Sequence, residues 1–373
     1  MGEGGVKRHR DKLLFLMSAG AVGIVLLVIG GYQLVEFTDS VAFCGQLCHN
    51  VMDPEYTVYQ ESPHSRVPCA ECHVGSGAGY LVKSKLSGIP MIVSTITGNF
   101  EKPIPAPVKN LRPARETCEQ CHRPERFTGD VVRVHTTYMT DEANTAKTDT
   151  RVMRVGGGEQ SVAKDIHWHI SAEVYYLPLD DKRQDIAWVG VKQADGTVVE
   201  YISQSEASEV TPEMIDKNER LMDCMDCHNR ATHVFQSPED LIDQALAQGK
   251  IDSSLPYIKK KGVEALDPVN ATIDEANAKI ATIETYYRDN YPDVYSGKKA
   301  AIDEAMVQLK EVARLTTFGS MNVDWTTYAD NESHRTSPGC FRCHGNLVAT
   351  SGPTEGQVID AGCESCHFFQ LPQ

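Results

Sequence analysis

The sequence predicts a mostly helical and irregular chain with one N-terminal transmembrane helix and an inserted antiparallel β unit. Three observations carry that expectation: a long apolar run near the N-terminus, 12 cysteines in close pairs that are each followed by histidine, and a motif-free middle stretch of short β-rich runs. The chain has 373 residues, 41% of them hydrophobic, with mean hydropathy -0.33, which is enough apolar content for packed domains rather than disorder. Lys+Arg 36 against Asp+Glu 51 gives a formal charge of -15. A nucleic-acid partner is not expected, because phosphate binding needs a basic face that releases counterions.

The apolar run extends from Leu13 to Phe37 and contains no Lys or Arg, with Glu36 at its far end. About 20 apolar residues suffice to cross a bilayer as a helix. Lys7, Arg8, Arg10 and Lys12 precede it. The positive-inside rule then keeps residues 1–12 in the cytoplasm and sends everything after 37 outside. The location implied is the cytoplasmic (inner) membrane, single-pass, with the body on the periplasmic face. A cleaved signal peptide is the alternative, but its apolar region is normally shorter than this one. The exterior remains strongly acidic, which suits either a solvated surface or steering toward a basic partner.

The cysteine pairs are Cys44/Cys48-His49, Cys69/Cys72-His73, Cys118/Cys121-His122, Cys224/Cys227-His228, Cys340/Cys343-His344 and Cys363/Cys366-His367. No cysteine is left over. C-x-x-C-H is the attachment site of a c-type haem: two thiols bond the porphyrin and the adjacent His ligates iron. Zinc ribbons and disulfides also pair cysteines, yet neither needs His directly after every second Cys. The first motif alone has three residues between its cysteines. The expectation is a multihaem cytochrome c carrying six covalent c-type haems and their iron.

Residues 38–128 carry the first three motifs among many Pro and Gly, so packing there is expected around porphyrin rather than between long regular elements. Residues 129–205 carry no motif and read as the β insertion, with a hairpin turn at Ala194-Asp-Gly-Thr. In that reading His167 and His169 lie two apart on a strand and share a face. Residues 206–320 hold the fourth motif and a helical region. Ser237-Pro238 starts a helix. Ile273, Ala276, Ile280, Ile283 and Tyr287 form one helix face, and Ile302, Ala305, Leu309, Val312 and Leu315 form another. Asn290-Tyr-Pro-Asp breaks them into a hairpin. Residues 321–373 hold the last two motifs.

Six irons have twelve axial positions, and the motif histidines fill six. His64, His135, His167, His169, His233 and His334 remain outside the membrane, together with Met52 three residues after His49. Most of these six are expected to be distal ligands, with His135 the weakest case. Bis-His irons imply low potentials and a Met ligand a higher one. A filled ligand set leaves no vacancy for a small substrate, which favours electron transfer over terminal reduction.

The anchor followed by FCGQLCHNVM, ESPHSRVPCAECH and RETCEQCH resembles the NapC/NirT family of membrane-anchored multihaem cytochromes, over roughly residues 13–122. The resemblance implies that residues 38–128 form a NapC/NirT-like domain, and that membrane quinol is oxidised at the bilayer with electrons passed to periplasmic redox proteins or a respiratory complex. It implies a first haem near the membrane that takes a Met just after the motif, a role that Met52 matches. Here the motif is one residue longer and Met52 lies one position further from His49, so either Met52 or His49 is the ligand. The resemblance also implies a basic quinol-site residue at Lys83 or Lys85, which otherwise face solvent or lipid phosphate. Asp53 and Glu55 are the nearest carboxylates for the quinol protons. The expected function is that of a quinol dehydrogenase and electron conduit. The alternatives are a relay fed by a membrane partner and, last, a reductase with an open haem.

Overall fold

The computed structural model describes residues 3–47, 49–75, 77–108, 112–127, 129–158, 162–206, 209–269 and 271–368. Helix α1 (Glu3–Asp39) is longer at both ends than the apolar run. Its stretch Lys12–Asp39 is long and apolar enough to cross a membrane, and none of it is buried against the rest of the protein. Hydroxyls end it: Thr38 Oγ1 donates to Val35 O and Ser40 Oγ to Phe37 O. A π-helical turn at Ala42–Leu47 follows and carries Cys44. Gly45 lies beneath the Tyr56 ring, where any Cβ would collide with it.

Helix α2 (His49–Gln60) buries Val51 and Val58 against Phe318, Met321 and Val323. Its Tyr59 hydroxyl sits 2.8 Å and 2.9 Å from the carbonyls of Ser65 and Val67, fixing the loop that presents His64. The second and third motifs form the short helices α3 (Cys69–His73) and α5 (Ala114–Cys118). Between them runs α4 (Ala78–Thr97), a helix the sequence reading missed. Residues 38–128 therefore hold two longer helices, α2 and α4, where packing was expected around porphyrin rather than between long regular elements. Gly77, Gly79, Gly88 and Pro90 hide the pattern of α4.

The β structure is antiparallel throughout, in two sheets that recruit strands from the C-terminal segment. β1 (Val131–Tyr138) pairs with β2 (Ala146–Met153), and β8 (His367–Phe368) joins the far edge of β2. β3 (Val174–Pro178), β4 (Ile186–Lys192) and β5 (Val198–Ser203) form the second sheet, with β6 (Arg220–Leu221) beside β3 and β7 (Leu347–Ala349) beside β5. The β4–β5 turn is the expected one: Gly196 has φ +87° and Asp195 Oδ1 accepts the Thr197 N–H. Val174, Tyr176, Ile186, Val189 and Leu347 fill the core of this sheet.

His167 and His169 are not on a strand, which corrects the expectation. His167 caps the single-turn helix α6 (Trp168–Ser171), and His169 lies inside it. Asp165, with φ +62°, turns the chain so that Trp168 N–H donates to Asp165 O and Ala172 N–H to Trp168 O.

Helix α7 (Pro212–Asn218) precedes α8 (Cys224–Cys227), which carries the fourth motif and is held by a reciprocal cap between Asp223 and Asp226. The remaining helices are α9 (Pro238–Ala247), α10 (Ile258–Leu266), α11 (Ile273–Asn290), α12 (Pro292–Gly297) and α13 (Lys299–Thr316). Ser237 Oγ accepts the Asp240 N–H to start α9. Ala276, Ile280, Ile283 and Tyr287 of α11 meet Ile302, Ala305, Leu309 and Val312 of α13 in one core. Ile273 stays exposed and Leu315 half-buried at the ends of those faces. Cutting a buried Leu or Ile here to Ala costs about 2–5 kcal/mol.

Candidate haem centres

Three of the Cys-x-x-Cys-His motifs share a local geometry. The backbone N–H of His122, His228 and His344 donates to the carbonyl of the first cysteine of its motif, at 2.8, 2.8 and 3.1 Å. That bond closes a single turn across each of these motifs. The described cysteines form no disulfides. Cys48 and the side chain of His49 lie outside the described residues, so the first motif is seen only through Cys44 and Met52.

Five motif imidazoles each face a second imidazole from a distant part of the chain. Ring centroids are 6.4 Å apart for His73 and His233, 5.9 Å for His122 and His64, and 6.4 Å for His228 and His167. They are 5.8 Å apart for His344 and His169 and 6.1 Å for His367 and His334. A metal–imidazole bond of about 2 Å on each side puts trans rings roughly 6 Å apart centre to centre. All five spacings fit one iron between the rings. Direct packing of imidazoles has no need to pair each described motif histidine with a separate partner.

Second contacts orient several of these rings. Nδ1 of His233 donates to Glu55 O at 3.0 Å, that of His169 to Ile166 O at 2.8 Å, and that of His344 to Asp360 O at 2.5 Å. A carbonyl only accepts, so the proton sits on Nδ1 and Nε2 keeps its lone pair for a metal. Burial lowers the pKa of His73, His167 and His169, and takes His233 down to about 4. These rings are therefore held in the neutral form that ligation requires. His228 is raised instead by Glu332, whose Oε2 lies 3.6 Å from Nδ1.

The thiols of successive motifs are neighbours. Cys44 lies beside Cys69, and Cys118 beside Cys224. Cys72 feels the charge of Cys121, Cys227 that of Cys340 and Cys343, and Cys366 that of Cys340. The cysteine pairs thus follow one another in space in the order of the sequence.

Other candidates are placed differently. His135 is exposed on β1 with Arg335 Nη1 at 3.4 Å from its Nε2, and among the described residues no motif ring faces it. Met52 and Asp53 are half-buried on α2. Lys83 is exposed on α4, and Lys85 is ion-paired with Asp39 at the end of α1. Burial raises the Glu55 carboxyl, and its Oε2 is buried without a hydrogen-bond partner. Arg230 was not foreseen: it is stacked on Phe235 and Tyr328 and donates Nε–H to His233 O. Only its place two residues after the fourth motif could have drawn attention to it.

Residues 6–104 match the model of the NapC/NirT cytochrome c family, N-terminal region, and residues 300–368 that of cytochrome c554 and c-prime. The chain is 43% identical over 363 residues to the cytochrome c-type protein ImcH of Geobacter sulfurreducens, covering 96% of this chain and 71% of that relative. No solved structure matches it.

Proposed function

Because the chain belongs to the NapC/NirT family of multihaem c-type cytochromes, we propose that it is an inner-membrane electron conduit that oxidises membrane quinol and delivers electrons to a periplasmic redox partner. The observation that carries this reading is the set of five facing imidazole pairs. Covalent haem, when bound, supplies reversible one-electron transfer at its iron.

The chain's own residues hold and tune six such groups. His73 with His233, His122 with His64, His228 with His167, His344 with His169, and His367 with His334 are the proposed axial pairs. Each motif's two cysteines are the thioether tethers. Either His49 or Met52 serves the first site, and His135, exposed beside Arg335, stands outside the pairs. A fully paired iron has no vacancy for a small substrate, which supports transfer over terminal reduction. The run of neighbouring thiols from Cys44 to Cys366 supports a single path in sequence order. Lys7, Arg8, Arg10 and Lys12 support the inside position of the N-terminus.

Quinol oxidation releases two protons as two electrons leave. Lys83 and Lys85 on α4 are the proposed quinol contacts, and Asp53 or Glu55 on α2 the proton acceptors. Burial disfavours the charged form of Glu55 and so raises its basicity above that of an ordinary carboxylate. One observation favours the second reading, a relay fed by a membrane partner: Lys85 is already engaged by Asp39.

The test is reduction of the purified haem-loaded protein by a menaquinol analogue, set against full reduction by dithionite. Extensive reduction by the quinol is expected. None at all, with dithionite still effective, transfers the case to the relay.

A further inference from the structure

We propose that α4 is a second membrane-contacting element, seated in the outer leaflet beside the exit point of α1. Along its last three turns Leu86, Ile89, Met91, Val93 and Ile96 are 54–80% exposed, and no charged residue occurs from Leu86 to Phe100. An apolar helix of this kind belongs against a core, a partner or lipid. Among the described residues, the apolar side chains of its last three turns are left largely exposed. Lys85 fixes which surface is nearest, since its ion pair with Asp39 fastens α4 to the last residue of the membrane-crossing helix. The apolar surface of α4 thus continues the lipid-facing surface of α1.

Four hydroxyls of α4 behave as a low-dielectric environment demands. Ser84 donates to Leu81 O, Ser87 to Ser84 O, Thr95 to Met91 O and Thr97 to Val93 O. Each satisfies itself within the helix, needing no water. The uncharged helical part, at 1.5 Å per residue, is roughly 18 Å long and falls short of the roughly 30 Å hydrocarbon core. Its place is therefore the headgroup–acyl boundary. The occupant is phospholipid, not a second copy.

The proposal rests on α1 spanning the bilayer, and one experiment reads both. The haem-loaded protein, one copy per nanodisc of phosphatidylethanolamine and phosphatidylglycerol, is exposed to hydroxyl radicals, and methionine oxidation is read by peptide mass spectrometry. Met17 on α1, Met91 on α4 and Met139 after β1 are 63%, 70% and 42% exposed in the protein alone. Lipid cover predicts that Met91 oxidises at least ~3-fold more slowly than Met139, as Met17 does. Oxidation of Met91 at a rate closer to that of Met139, with Met17 protected, overturns the seating of α4 alone. If Met17 also oxidises, the anchor and the proposal fail together. Protection of Met91 confined to discs holding two copies points to self-association and overturns the lipid assignment.

Discussion

Arg230 donates its Nε–H to the backbone carbonyl of His233 at 2.8 Å, so a buried guanidinium holds the segment whose imidazole faces His73. Packing of the Arg230 guanidinium on Phe235 and Tyr328, at 5.1 and 4.3 Å to the ring centroids, keeps it in place. A fixed positive charge beside an iron favours the reduced state. Arg230→Gln should lower one midpoint potential by roughly 60 mV, a tenfold change for a one-electron couple. Arg230→Lys should recover most of it. Spectroelectrochemical titrations that superimpose on the parent would rule out this electrostatic role.

The facing rings of His169 and His344 predict a spin-state change. His169→Ala should turn one low-spin haem high-spin in the electron paramagnetic resonance spectrum and leave the others intact. His135→Ala should leave the signals of the five paired sites unaltered, because Arg335 is the neighbour recorded for its ring. A low-spin spectrum unchanged in the first variant would remove His169 from the ligand set.

Haem content is a direct check on the cysteine count. Pyridine haemochrome against protein mass should give six haems per chain, one for each cysteine pair. A value of five, restored to six when one residue between Cys44 and Cys48 is deleted, would show that the longer first motif is not loaded.

Lys259 is wholly buried, and its Nζ lies 2.5 Å from Asp243 Oδ1, which also accepts the Tyr138 N–H. This joins α9 and α10 to the β1 hairpin. Lys259→Met should cost about 3–5 kcal/mol, because it strands a buried carboxylate. Burial already raises Asp243, and the lysine is what opposes it. Without it the folded pKa climbs further, and a raised folded pKa gives stability that is present at low pH and lost as pH rises. The deficit against the parent in chemical denaturation should therefore widen above about pH 4 and shrink toward it. A deficit independent of pH would mean that Asp243 finds another partner.

The Cys-x-x-Cys-His motifs are legible because their residues lie within a few positions of one another, and the histidines outside them can be counted from the sequence. Which ring faces which is not legible, since His64 meets His122 and His334 meets His367 only through the tertiary path of the chain. The alternation around His167 and His169 suggested a strand, and the left-handed Asp165 overrode it by closing a helical turn. The faces of α11 and α13 were readable because their apolar spacing is regular and unbroken. Strands β7 and β8 are too short to leave a period-two signal. Composition did not reveal that α4 is uncovered, because exposure is a property of the folded neighbourhood.

The pairing of His73 with His233 has a bearing on biogenesis. If the chain after α1 crosses the membrane in N-to-C order, the second motif arrives long before the segment that would cap its metal. The same holds for the fourth and fifth motifs in reverse, whose partners in α6 are waiting when they emerge. Assembly of the cofactor array would then finish out of step with translocation. A truncated product ending before residue 233 should carry a vacant, ligand-accessible centre that the complete chain closes.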